Sequence, residues 1–174
     1  MATIPLFDTA SNLTGLRSDL DAAIKRVMDS GRYILGPEVT EFENEFAEFT
    51  GTDHAIGVGN GTDALSIALL AAGVKAGDDV VVPSFTFYAS AEAALTIGAN
   101  VVFCDIDPET MNVTAETVAA ALTPQTTAVI AVHLFGLPAP MHQLRELAEK
   151  HDFKLVEDAA QAVGALQGGR RAGN

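Results

Sequence analysis

From Ala55 onward the sequence alternates short apolar runs with stretches of helical periodicity, and that rhythm constrains the fold more than any other feature. Residues 55–58, 80–82, 101–104, 128–132 and 154–156 read as strands, with helices predicted over 63–72, about 88–97, 114–121 and 140–150 between them. Continuous apolar runs belong to strands buried on both faces, and a helix between successive strands makes the connections crossovers. The reading is therefore α/β, a three-layer and mostly parallel sheet with helices on both faces. Thr114 is placed to cap the third of these helices.

Two helices precede the alternation. Leu16, Leu20, Ile24 and Val27 recur at spacings of four, four and three, which predicts an amphipathic helix over 17–30 with Gly31 as its stop. Val39, Phe42, Phe46 and Phe49 repeat the pattern after Pro37, a residue suited to the first helical turn. Between them the loop Gly31-Arg32-Tyr33-Ile34-Leu35-Gly36-Pro37 carries an aromatic, a cation and two glycines. The chain has 174 residues, 48% of them hydrophobic, enough for a sizeable core, and shows no linker, low-complexity tract or internal repeat.

Twenty-three acids against 10 bases give a formal charge of -13, which excludes nucleic acid and anionic membrane surfaces as partners held by bulk electrostatics. No apolar stretch is long enough to span a bilayer and no secretory signal pattern opens the sequence, so a soluble cytoplasmic protein is expected. The single cysteine, Cys104, ends an apolar run and reads as buried strand, with no internal disulfide available. His54, His133, His142 and His151 lack metal-ligand spacing, and no metal site is expected.

Three strand ends carry chemistry. Gly57-Val58-Gly59-Asn60-Gly61-Thr62-Asp63 joins the first strand to its helix, and a glycine-rich turn into a helix start offers N–H groups to an anion. Thr62 stands where a dinucleotide fingerprint needs its third glycine, and no acid ends the following strand, so a nicotinamide site is disfavoured. Thr62 suits a phosphate cradle through N–H and O–H, or it caps the helix. Pro83-Ser84-Phe85-Thr86-Phe87-Tyr88 brings aromatics and hydroxyls to the next strand end, as a platform for a flat ring or as core. Asp158 ends the last strand, and in parallel α/β sheets ligands sit at the carboxyl ends of strands. A phosphate cradle, a stacking aromatic and a carboxylate together match what pyridoxal 5'-phosphate requires, the carboxylate serving to keep the pyridine nitrogen protonated. His133 ends another strand but reads equally well as a hydrogen-bonded core histidine.

Gly31-Arg32-Tyr33-Ile34-Leu35-Gly36-Pro37-Glu38-Val39, Gly59-Asn60-Gly61-Thr62-Asp63-Ala64-Leu65, Pro83-Ser84-Phe85-Thr86-Phe87 and Glu157-Asp158-Ala159-Ala160-Gln161-Ala162-Val163-Gly164 resemble, in order and spacing, the DegT/DnrJ/EryC1/StrS aminotransferases, from Ile4 onward. That resemblance implies a fold-type I pyridoxal-phosphate enzyme that moves an amino group from glutamate to a nucleotide-linked keto sugar, working as a homodimer. It implies that Gly61 and Thr62 hold the cofactor phosphate, Phe87 stacks on the ring, Asp158 pairs with the pyridine nitrogen and Gln161 lies near the 3-hydroxyl. The loop carrying Tyr33 and Gly36 would border the sugar pocket.

The same resemblance places the Schiff-base lysine, two further strands of the large domain and the whole small domain beyond Asn174. Residues 1–174 are then expected to be the N-terminal part of a cofactor-binding large domain, inactive alone. Lys150 and Lys154 fall at a helix end and a strand start remote from the strand-end site, and Lys25 and Lys75 fall in a helix and a loop outside every motif. The strand at 55–58 would lack its normal bridge to the rest of the sheet. A sugar 3-dehydratase of the same family, with histidine in place of the lysine, is the alternative activity, and a non-catalytic binding module is the alternative from another class.

Overall fold

The structure, a computed structural model, describes residue 8 and residues 10–174, so the start of the family resemblance at Ile4 lies outside the described residues. The chain divides into two compact units at Glu45/Phe46.

The first unit is helical. α1 (Ala10–Leu13) runs through a 3₁₀ turn (Thr14–Leu16) into α2 (Arg17–Ser30). α2 ends where its sequence expects, at Gly31, whose φ of 65° is open to glycine and whose N–H returns to the Val27 and Met28 carbonyls. The apolar stripe of α2 is real but not buried in its own unit: Ile24 and Met28 stay 57% and 64% exposed. α3 (Pro37–Thr50) starts at its proline and runs across the boundary into the second unit.

In the second unit α4 (Gly61–Ala71), β1 (Asp79–Pro83), α5 (Ala89–Thr96), β2 (Asn100–Cys104), α6 (Ala115–Ala121), β3 (Thr126–Val132), α7 (Met141–His151) and β4 (Lys154–Asp158) alternate as predicted. The four strands form one fully parallel sheet in the order β2-β1-β3-β4. Val80 and Val82 of β1 and Ala128, Ile130 and Val132 of β3 face α4 and α5 on one side, with Leu65 and Leu69 among them. Val81, Val129 and Ala131 face Val118 of α6 and Leu144 of α7 on the other. This period-two division of an apolar run between two cores makes the three-layer sandwich. The central strands are sealed, and each fully buried valine or isoleucine contributes about 1.5–3 kcal/mol relative to exposure.

Thr114 caps α6 as expected and forms a reciprocal pair with Thr117, each hydroxyl accepting the other's backbone N–H at 3.2 and 3.0 Å. Residues 55–58 do not form the predicted strand. They are irregular, with Ile56 81% exposed, because among the described residues no strand lies alongside to complete a ladder. One element was not anticipated: β5 (Leu166–Gln167) and β6 (Arg170–Arg171) close a hairpin through Gly168 and Gly169, both at positive φ. No helix among the described residues is long and apolar enough to cross a membrane.

Candidate cofactor site

Three of the four strands deliver turns to one edge of the sheet. Asn60 opens α4, and its Oδ1 accepts the Asp63 N–H at 2.9 Å. The cap is therefore Asn60 and not Thr62, which leaves the Thr62 hydroxyl without a hydrogen bond among the described residues. The first N–H groups of a helix have no intrahelical partner, so those of Gly61 and Thr62 are free to meet a ligand. Gly61 has neither a positive φ nor a neighbour within 4 Å of where a Cβ would stand. Neither strain nor crowding within the chain requires glycine there.

Beyond β1, Phe87 is 74% exposed while Ser90, three residues further on in α5, is fully buried. Phe85 meets Phe135 edge-on with centroids 6.5 Å apart, and Phe135 holds φ 55°, a conformation rare for a bulky residue. At the end of β4 the two oxygens of Asp158 take different partners: Oδ1 accepts the Ala160 N–H at 3.2 Å and Oδ2 accepts the Ser90 hydroxyl at 3.3 Å. Gln161 Oε1 accepts the Phe135 N–H at 2.7 Å, leaving its amide nitrogen as the unengaged end among the described residues.

Gly61, Thr62, Phe87, Asp158 and Gln161 all line one cleft of about 230 Å³, together with Thr86 among others. No lysine lines it. Tyr33 and Gly36 belong to the first unit. There Tyr33 is 68% exposed, and a Cβ at Gly36 would stand 2.6 Å from the Arg32 carbonyl oxygen, so the local backbone itself requires glycine.

Behind the cleft, His133 is fully buried. Its Nδ1 accepts the Ala139 N–H at 3.1 Å, which puts the proton on Nε2, 3.0 Å from Glu157 Oε2. Glu157 also accepts from Gly173 N–H at 2.9 Å and from Arg145 Nη2 at 3.0 Å. Burial pushes the Glu157 carboxyl up, but the His133 and Gly173 hydrogen bonds and the Arg145 charge outweigh it and hold the group below its usual value. The histidine is thus a structural one, and Glu157, whose position in the sequence motif drew attention only to its neighbour Asp158, is the hub. No group of three or more metal-ligating side chains occurs among the described residues.

Residues 15–174 match the model of the DegT/DnrJ/EryC1/StrS aminotransferase family. Over 172 residues the chain is 49% identical to dTDP-3-amino-3,4,6-trideoxy-alpha-D-glucose transaminase of Streptomyces venezuelae, covering 98% of this chain and 45% of that protein. The crystal structure of S. venezuelae DesV in complex with a ketimine intermediate matches with a TM-score of 0.96 and 47% identity, over 99% of this chain and 47% of that one. A structure of GDP-4-keto-6-deoxymannose-3-dehydratase with bound GDP-perosamine matches with a TM-score of 0.82 and 29% identity, over 88% and 41%. The chain spans less than half the length of these relatives. Its sheet is that of the fold-type I aminotransferases. By sequence and by fold alike, this chain belongs to the DegT/DnrJ/EryC1/StrS aminotransferase family, whose aminotransferases depend on pyridoxal phosphate.

Proposed function

We propose that the protein to which these residues belong is a pyridoxal-phosphate-dependent aminotransferase acting on a nucleotide-linked keto sugar, with glutamate as amino donor. The observation that carries this reading is the convergence of Gly61, Thr62, Phe87, Asp158 and Gln161 on one cleft at the carboxyl edge of the sheet. The donor set fits the cofactor. A free hydroxyl and two free helix-start N–H groups suit a phosphate, and open space at Gly61 admits it closely. Asp158 is an acceptor held on a strand end, as a protonated ring nitrogen requires.

When bound, pyridoxal phosphate supplies an electron sink for carbanion chemistry next to the amino nitrogen. The chain's own residues bind and orient. Thr62 Oγ1 and the N–H groups of Gly61 and Thr62 grip the phosphate, and Phe87 covers one face of the ring. Asp158 accepts the ring N–H and keeps that proton in place, while the Gln161 amide nitrogen donates towards the 3-hydroxyl oxygen. Residues outside this chain supply the group that links the cofactor covalently. The complete enzyme is a cytoplasmic homodimer on this reading, a point supported by the family resemblance alone.

The likeness to a sugar 3-dehydratase favours a second reading, in which the same cleft serves loss of a hydroxyl and no amine is transferred. The higher identity to the transaminase favours the first. Incubating the full-length protein with pyridoxal phosphate, glutamate and a panel of nucleotide-linked keto sugars, with products read by mass spectrometry, separates them. An amino sugar with release of 2-oxoglutarate supports the aminotransferase, a deoxy sugar supports the dehydratase, and neither product overturns both. Asp158→Asn in the same protein is expected to lower turnover about a hundredfold.

A further inference from the structure

Ser90 is a fully buried hydroxyl set in an otherwise small and apolar face of α5, between Ala89, Ala91, Ala93 and Ala94. A buried hydroxyl is costly unless it is hydrogen-bonded, and alanine would fill the same space without that cost. Serine and threonine inside helices commonly bond back to a carbonyl of their own helix, as Thr50 does to Phe46 and Thr96 to Ala93. Ser90 instead spans 68 positions of sequence to Asp158 Oδ2, at 3.3 Å.

The direction of this bond fixes its neighbour. Asp158 as a carboxylate only accepts, so the single Ser90 proton points to Oδ2, and the Thr86 hydroxyl, 3.2 Å from Ser90 Oγ, donates to Ser90 in turn. The chain Thr86–Ser90–Asp158 leaves the cleft at Thr86, passes through the buried helix and re-enters the cleft at Asp158. With Ala160 N–H on Oδ1, the carboxylate is tethered at both oxygens, each of which keeps acceptor capacity for the cleft.

We propose that Ser90 is a positioning residue that sets the plane of the Asp158 carboxylate towards the ring nitrogen of the bound cofactor. The proposal rests on the assignment of Asp158 made above. It requires that loss of the Ser90 hydroxyl weaken only binding that runs through the ring nitrogen, leaving the phosphate grip intact.

The test compares, in the full-length apoenzyme, the dissociation constants of pyridoxal phosphate and of its 1-deaza analogue, in which the ring nitrogen is replaced by C–H. Binding is read by equilibrium dialysis and needs no turnover. The wild type is expected to favour the natural cofactor, and Ser90→Ala to cut that preference about fivefold, the worth of one ordinary hydrogen bond, with unchanged affinity for the analogue. Ser90→Thr, which restores a hydroxyl, is expected to return it. Equal weakening of both ligands, or no change in either, overturns the proposal. Should Ser90→Ala fail to fold, Ser90→Cys keeps the volume with a much weaker donor and carries the same comparison. Failure of the site assignment is distinguishable: if Asp158→Asn and wild type show no preference between the two ligands, the role of Asp158 falls. If Asp158→Asn loses the preference and Ser90→Ala keeps it, only the role of Ser90 falls.

Discussion

The backbone N–H of Phe135 donates to Gln161 Oε1 at 2.7 Å, tying the turn after β3 to the turn after β4. Because a backbone N–H can only donate, this contact fixes which end of the Gln161 amide is which and leaves its nitrogen for the cleft. Gln161→Glu keeps the acceptor that Phe135 needs but removes the donor, so it is expected to melt like wild type while losing about tenfold in pyridoxal-phosphate affinity. Gln161→Ala leaves an N–H that water reaches, since Phe135 is 73% exposed, and should cost no more than about 1 kcal/mol in stability. Thermal melts and cofactor titrations of both variants check this, and wild-type affinity in Gln161→Glu would remove Gln161 from the site.

Gly61 offers a test in which stability and binding move in opposite directions. It is the first residue of α4, its φ is not in the left-handed region, and a Cβ would meet nothing within 4 Å. Gly61→Ala is therefore expected to raise the unfolding free energy of the ligand-free protein by about 0.4–1 kcal/mol, by restricting the unfolded chain. The same methyl takes up space in the cleft and is expected to weaken pyridoxal-phosphate binding. Denaturant unfolding alongside a binding titration reads both effects, and unimpaired binding would show that nothing approaches Gly61 closely.

These two positions also mark how far sequence alone reaches. The parallel sheet, its helices to within a few residues and the strand-end placement of Asp158 were legible because apolar runs, caps and glycine stops are local signals. Residues 55–58 carry the apolar content of a strand, yet a strand exists only beside a neighbour, and that is a property of the rest of the sheet. Thr62 was the residue read as a possible cap, but Asn60, two positions earlier, is an equally good capping residue, and the geometry assigns the cap to Asn60. Ser90 and Glu157 were missed for one reason: their meaning lies in partners 68 and 24 residues away, Asp158 and His133. The Gly168-Gly169 hairpin was a local signal and could have been read.

Cys104 is buried at the end of β2, and burial pushes its thiol up to about 11. The thiolate is the reactive form, so the group is nearly inert at neutral pH while the fold is intact. Native protein is expected to show negligible reaction with a thiol-labelling disulfide reagent at pH 8 over minutes, and one equivalent after denaturation. Rapid labelling of the native form would mean that the β2 edge opens readily.

Glu157 links folding to pH. Its carboxyl sits below its usual value because the hydrogen bonds from His133 and Gly173 and the Arg145 charge overcome the cost of burial. Between the folded and unfolded values the unfolded chain binds more protons, so stability rises with pH through that window. The contribution is complete above the ordinary glutamate value and is lost as pH falls through the lower, folded value. Glu157→Gln places an amide where three donors converge, at least one of which then faces N–H rather than oxygen. It is expected to cost about 1.5–3 kcal/mol at neutral pH. As pH is lowered below the ordinary carboxylate range, the wild type should lose this advantage and the two unfolding free energies should approach each other. Urea unfolding of both proteins from pH 7 down to pH 3 measures the gap, and a gap that stays constant across that range would show that Glu157 stabilises by shape and not by charge.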